Sequence, residues 1–286
     1  MIVIVGCVVV IVAILVGFVG SGGNVAALFH PYEFVTIGGA ALGALIVMSP
    51  TKVLKDLMRG IVASLKGSPF NRVAYEDLFR LLYALFQVAR RDGLISLEPH
   101  LSDTEQSSIF NKYPRIAKNH HVTEFICGAL TPVVEGTIKP ESLHTLLKTE
   151  IELVEKEHHA PLSVLQKTAD ALPGFGIVAA VMGIVITMAS IDGPVEEIGE
   201  KVGAALVGTF LGILLSYGFA GPLSVRIEFL GVAESDYFHT IARVIESFVN
   251  GAPPKVALEH ARRGVRSECR MSRDELDAMF KEVETS

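Results

Sequence analysis

The sequence predicts an all-α, polytopic membrane protein with four transmembrane helices and a helical cytoplasmic domain. Three observations carry that reading. Half of the 286 residues are hydrophobic, and four windows, 1–32, 34–51, 171–191 and 202–225, contain no Asp, Glu, Lys or Arg. Each window reaches the roughly 18 apolar residues needed to cross a bilayer core of about 30 Å. The basic residues are segregated as well: 15 of the 25 Lys and Arg fall in 52–170 and nine in 226–286, with Lys201 the remaining one. Finally, the intervening segments place leucines and isoleucines at helical spacing, with polar residues between them.

The first window lacks a basic leading region, and its apolar run from Ile2 to Val19 is too long for a secretory signal, so it reads as a retained helix. Residues 1–51 then form two spans joined by a short loop, 52–170 a large cytoplasmic helical domain, 171–225 a second pair of spans, and 226–286 a cytoplasmic tail. Basic segments stay in the cytoplasm. The loop at 20–33 has no base, and the loop at 192–201 has one base against four acids, so both face outward. Both termini face inward. Net charge −6 without a basic stripe gives no footprint for nucleic acid. Cys7, Cys127 and Cys269 are too far apart in sequence to suggest a disulfide framework or a zinc site.

Within 52–170, residues 73–90 carry Leu78, Leu81, Leu82 and Leu85 on one helical face and stop at Arg91-Asp92-Gly93, a glycine termination signal. Ser102-x-x-Glu105 has the spacing of a capping box. Helix resumes at 122–135 and again from about Glu141 toward the third span, with an interruption expected at Pro161. The tail holds an amphipathic piece, 254–266, and a short charged end. His158 and His159 are adjacent, so on a helix they point about 100° apart and share no metal geometry. There is no P-loop, nucleophile elbow or HExxH, and the chain reads as a non-enzyme without a cofactor. In "ARRDGLISLEPH" (89–100), Arg90 and Glu98 place opposite charges on a compact segment. This is either an ordinary solvated surface or a docking face in which charge sets register and on-rate.

The third span opens with Gly174-x-Gly176-x-x-Ala179, the spacing of a dinucleotide-binding turn. That fingerprint needs a preceding strand, and here the preceding segment is helical. Gly176, Ala180 and Gly183 instead recur at three- and four-residue spacing, which leaves one face bare for close packing of membrane helices. Pro173 suits a first helical turn capped by Asp170, or a hinge; Pro222 interrupts the hydrogen-bond ladder at the cytoplasmic end of the fourth span. No ionisable residue lies within the four spans as read. Membrane proton relays use ionisable side chains, so a partner would have to supply the carboxylate. Thr209 and Ser216 either line such a route or bond their own backbone.

Together these residues resemble the MotA family of flagellar-motor stator subunits. The resemblance covers almost the whole chain and rests on "ARRDGLISLE", "LPGFGIVAAVMGIV" and "VGTFLGILLSYGFAGPL". It implies that Arg90 and Glu98 contact the rotor protein FliG, and that Pro173 and Pro222 are conformational hinges near the channel. It implies Thr209, Ala180 and Ser216 along the ion path. It also implies a pentamer around a dimer of a single-span, peptidoglycan-anchored MotB-type subunit, whose membrane aspartate binds the ion in the lipid of the bacterial inner membrane. Sodium-type relatives have a threonine where this chain has Ala180, which favours H+ as the transported ion. The alternatives are an energy-transducing subunit of the ExbB/TolQ type and a passive membrane scaffold.

Overall fold

The computed structural model describes residues 2–189 and 191–285, and among these residues it is helical without strands. In chain order the α-helices are α1 (Ile2–Gly20), α2 (Pro31–Met48), α3 (Thr51–Lys66), α4 (Arg72–Asp92), α5 (Glu98–Ser102) and α6 (Pro114–Ala117). They continue as α7 (His120–Val134), α8 (Pro140–Met188), α9 (Val195–Ile213), α10 (Gly221–Val249), α11 (Pro254–Arg263) and α12 (Arg273–Thr285). A π-helical segment, Leu214–Ala220, joins α9 to α10. Four helical stretches are long and apolar enough to cross a membrane: Ile2–Gly20, Val25–Met48, Pro140–Met188 and Val195–Val249.

The chain divides into two compact units, one formed by residues 1–67 and 157–230, the other by 68–156 and 231–286. In the first unit α1 buries no residue; most of its valines and isoleucines are exposed, while Val3, Val10 and Ile14 are half-buried along one stripe. Such a helix is stable against lipid rather than water. Ile37 and Ala41 of α2 pack with Leu172 and Ala179 of α8 and Val207 and Leu211 of α9. Leu57 of α3 packs with Leu165 and Ile227, and Lys52 pairs with Glu157. The opposite face of the third span, Ile177, Val181, Ile184 and Val185, is exposed.

The second unit has a conventional core. α4 buries ten residues, including the four predicted leucines together with Tyr75, Phe79, Tyr83 and Phe86. Phe86 stacks on Phe248 at 3.9 Å, Phe125 meets Phe238 at 4.9 Å, and Tyr83 meets Phe280 at 4.5 Å. Lys255 spans the Phe280 ring at 5.6 Å and pairs with Glu284 at 2.8 Å, which also accepts from the Tyr83 hydroxyl at 2.6 Å.

Several expectations are corrected. α8 runs through Pro161 and Pro173 without a break, so Asp170 does not cap a new helix. It accepts from Gln166 Nε2 instead, at 2.9 Å. A proline costs one helical hydrogen bond, and a helix packed along its length tolerates that loss. Ser102 ends α5 rather than starting a helix, and its hydroxyl donates to Glu98 O at 2.8 Å. The capping box lies at Ser272: its hydroxyl accepts from Glu275 N at 3.2 Å, and Glu275 Oε2 accepts from Ser272 N at 2.6 Å. The helix it starts, α12, is amphipathic through Leu276, Met279 and Phe280, not merely a charged end. α9 already begins at Val195, so much of the acidic stretch read as a loop is its first turns. Glu33, read as a loop residue outside the charge-free window, lies in the first turn of α2. The second span therefore does carry an ionisable residue.

Candidate functional site

The third and fourth spans meet along a seam of glycines. A Cβ placed on Gly176 would lie 2.8 Å from Gly208 O and 3.1 Å from Gly212 Cα. One on Gly212 would lie 2.6 Å from Leu172 O, and one on Gly183 would lie 2.9 Å from Ala205 Cβ. These approaches leave no room for a side chain. In a bilayer, where lipid is as apolar as leucine, such close backbone contact is what holds two helices together. The sequence shows half of this seam, Gly176 and Gly183. The other half, Gly208-x-x-x-Gly212, has the spacing that would have revealed it.

Two predicted path residues lie on this seam. A Cβ on Gly208 would come within 3.3 Å of Ala180 N, and one on Gly176 within 3.3 Å of Thr209 Cα. Thr36 and Thr187 spend their hydroxyls on carbonyls four residues back, at 3.0 and 2.8 Å. Among the described residues neither Thr209 nor Ser216 makes that bond. A third element reaches the same place. Glu33 Oε2 is buried and has no hydrogen-bond partner among the described residues, and a Cβ on Gly208 would lie 2.8 Å from it.

The two prolines sit in different helical settings. Pro173 lies inside a continuous α-helix, beside the Leu172 carbonyl against which Gly212 packs. Pro222 is the second residue of α10, separated from the π-helical segment by Gly221. It has no N–H to donate, and its ring crowds the carbonyl four residues back. The helix widens upstream: Gly221 N donates to Ser216 O, five residues back. Single π turns occur often at functional sites. Ser216 is buried within this one. A polar contact connects the turns below the two prolines, because Ser224 Oγ donates to Gln166 Oε1 at 2.6 Å and Gln166 bonds Asp170. Nothing in the sequence pattern singled out Gln166 or Ser224.

In the other unit, α4 ends at Gly93 with φ +91°, a backbone conformation that glycine adopts without penalty. Ser96 Oγ donates to Gly93 O at 2.5 Å and fixes the turn. Arg90 occupies the last turn of α4 and Glu98 the first position of α5; both are exposed. Neither forms an ion pair among the described residues, whereas the neighbouring Arg91 is paired with Asp92 at 2.8 Å. Arg90 and Glu98 thus present uncommitted opposite charges.

Residues 4–93 match the family described as Motility protein A N-terminal, and residues 117–228 match the MotA/TolQ/ExbB proton channel family. The chain is 37% identical to Motility protein A of Salmonella typhimurium, over 99% of this chain and 96% of that one. It is 36% identical to chemotaxis protein LafT of Vibrio parahaemolyticus, over 98% of each. Its fold is similar to the C. jejuni MotAB structure, with a TM-score of 0.77 and 22% identity over 95% of this chain and 98% of that one. It is also similar to the flagellar MotAB stator complex of Bacillus subtilis, with a TM-score of 0.71 and 23% identity over 90% and 92%. From residue 4 through the fourth span and into the tail, these likenesses follow one another along the sequence, and the chain belongs to the motility protein A family of MotA/TolQ/ExbB proton channels.

Proposed function

We propose that this chain is the stator subunit of a bacterial flagellar motor, a multi-pass protein of the inner membrane that couples H+ passage to torque. The observation that carries the reading is the likeness to Motility protein A of Salmonella typhimurium along 99% of the chain. A match at residues 4–93 to the Motility protein A N-terminal family favours this reading over an ExbB/TolQ-type role. The seam at Ala180, Gly208 and Thr209 supplies a lined route, and a MotB-type single-span partner supplies the aspartate that binds the ion. Five copies surround a partner dimer. The segregation of Lys and Arg puts 52–170, 226–286 and both termini in the cytoplasm. There Arg90 and Glu98 act on the rotor protein FliG, while Pro173 and the π segment before Pro222 flex as the ion passes. One charge crossing 100 mV releases about 2.3 kcal/mol, so torque accumulates over many ions.

The test is deletion of the gene with filaments counted by microscopy. Cells keep their filaments and do not rotate them. Normal swimming in a strain with no other stator set, or loss of the filaments, overturns the reading. Arg90→Glu abolishes swimming while the protein remains in the membrane, and a compensating reversal on the rotor restores it. Normal swimming of Arg90→Glu alone and of the Arg90→Glu, Glu98→Lys double variant removes the docking role.

A further inference from the structure

Glu33 is the one acid in the α2 span, and the function above makes no use of it. Its position joins two environments. The residue as a whole is half-exposed at the start of α2, which follows the loop assigned to the outer side. Yet Oε2 is shut off from solvent and has no hydrogen-bond partner among the described residues. The bare Cα of Gly208 makes this possible, because a Cβ there would lie 2.8 Å from Oε2, 3.1 Å from Ala179 Cβ and 3.3 Å from Ala180 N.

The helix start does not account for this placement. An acid in a first turn is commonly held by a free backbone N–H. Glu33 makes no such side-chain bond, and its own N donates to His30 O at 3.1 Å. The surroundings are also nearly free of other titrating groups. His30, the residue before α2, is the one that acts on it electrostatically. Gly208 of α9 faces it, with Ala179 and Ala180 of α8 beside that glycine. A carboxyl whose Oε2 is unpaired and shut off from water favours the neutral acid, and it ionises when that oxygen reaches water.

We propose that Glu33 is a proton-binding site of this chain, which takes up H+ at the outer end of α2 and presents it to the seam at Gly208 and Ala180. The step moves one proton. A carboxylate oxygen gains H+ from water outside and later yields it to the next acceptor on the route, and no other bond changes. The inference rests on the proton-channel reading, but its first measurement does not depend on that reading.

The measurement is infrared difference spectroscopy of the full-length chain with its partner in lipid at neutral pH, wild type against Glu33→Gln. The glutamine is isosteric and keeps the packing. One protonated-carboxyl band present in wild type disappears in Glu33→Gln. It also weakens in Gly208→Ala, where the new Cβ expels the carboxyl while Glu33 itself is retained. Identical wild-type and Glu33→Gln spectra overturn the proposal and leave the stator reading intact. In a motility-deletion strain, swimming speed falls several-fold with Glu33→Gln and returns with Glu33→Asp. Wild-type speed with Glu33→Gln overturns the role in the route, whereas failure of the wild-type chain itself to restore swimming counts against the stator reading instead.

Discussion

The two units use the same residue types in opposite ways. In 68–156 and 231–286, leucine and phenylalanine point inward, and a large cluster from α4, α7, α10, α11 and α12 excludes water. In 1–67 and 157–230, most valines and isoleucines point outward, and the third and fourth spans meet through glycine and alanine beside a small apolar cluster that includes Ile37, Val207 and Leu211. Hydrophobic burial stabilises the first arrangement. Lipid removes that driving force from the second, so its cohesion comes from close backbone approach. Large side chains are therefore the sensitive positions in one unit, and absent side chains in the other.

The contrast is sharpest at Phe86, fully buried and stacked on Phe248. Phe86→Ala should cost about 3–5 kcal/mol of stability. Thermal unfolding of the full-length protein, followed by proteolysis of the soluble segments, reads this loss; an unchanged midpoint would mean that the aromatic core is not what holds the unit. The reciprocal experiment adds a methyl. Gly212→Ala places a Cβ 2.6 Å from Leu172 O, which is backbone and cannot swing aside, and should cost about 1–3 kcal/mol. Gly174→Ala, where nothing lies within 4 Å, should be neutral or slightly stabilising. Equal effects of the two alanines on detergent stability would break the seam argument.

The smallest effect is a dependence on pH. Hydrogen bonds from Arg262 and then Arg263 hold the Glu259 carboxyl at about 2, well below its ordinary 4.5. A depressed carboxylate contributes stability above its unfolded pKa and loses it as pH falls through the folded one. The wild type should therefore lose stability between about pH 4.5 and about pH 2, and Glu259→Gln should flatten that part of the acid limb. An acid limb identical in both chains would show that the pair contributes nothing there.

The spans were legible because a bilayer forbids charge over some 18 residues, a signal no local detail can hide. α4 was legible because its leucines share one face and Gly93 ends it. Arg90 and Glu98 stood out as charges, but only the structure shows them unpaired beside a paired Arg91. Glu33 is hidden in the sequence because a charge there marks the edge of a charge-free window. An acid in a first helical turn looks the same in sequence whether it faces solvent or a neighbouring glycine. Ser102 misleads because Ser-x-x-Glu caps a helix only where a helix follows directly, and the residues after Asp103 form a turn. The same spacing at Ser272 does start a helix. The bond between Gln166 and Ser224 joins residues 58 apart, a separation that no periodicity reports.

The π segment has a consequence for how the fourth span is to be mapped. Each α-helical residue turns the chain by about 100°, so a stretch that bonds five residues back instead of four throws the following residues out of step. Positions before Leu214 and after Ala220 belong to two angular series rather than one. A cysteine or tryptophan scan fitted to a single 3.6-residue wave would average the two and find no clear face. Fitted as two waves with a phase jump between them, the same scan would resolve one face upstream and another downstream. The position of the jump would then report on the wide turn directly, including any shift of that turn along the helix as the protein works.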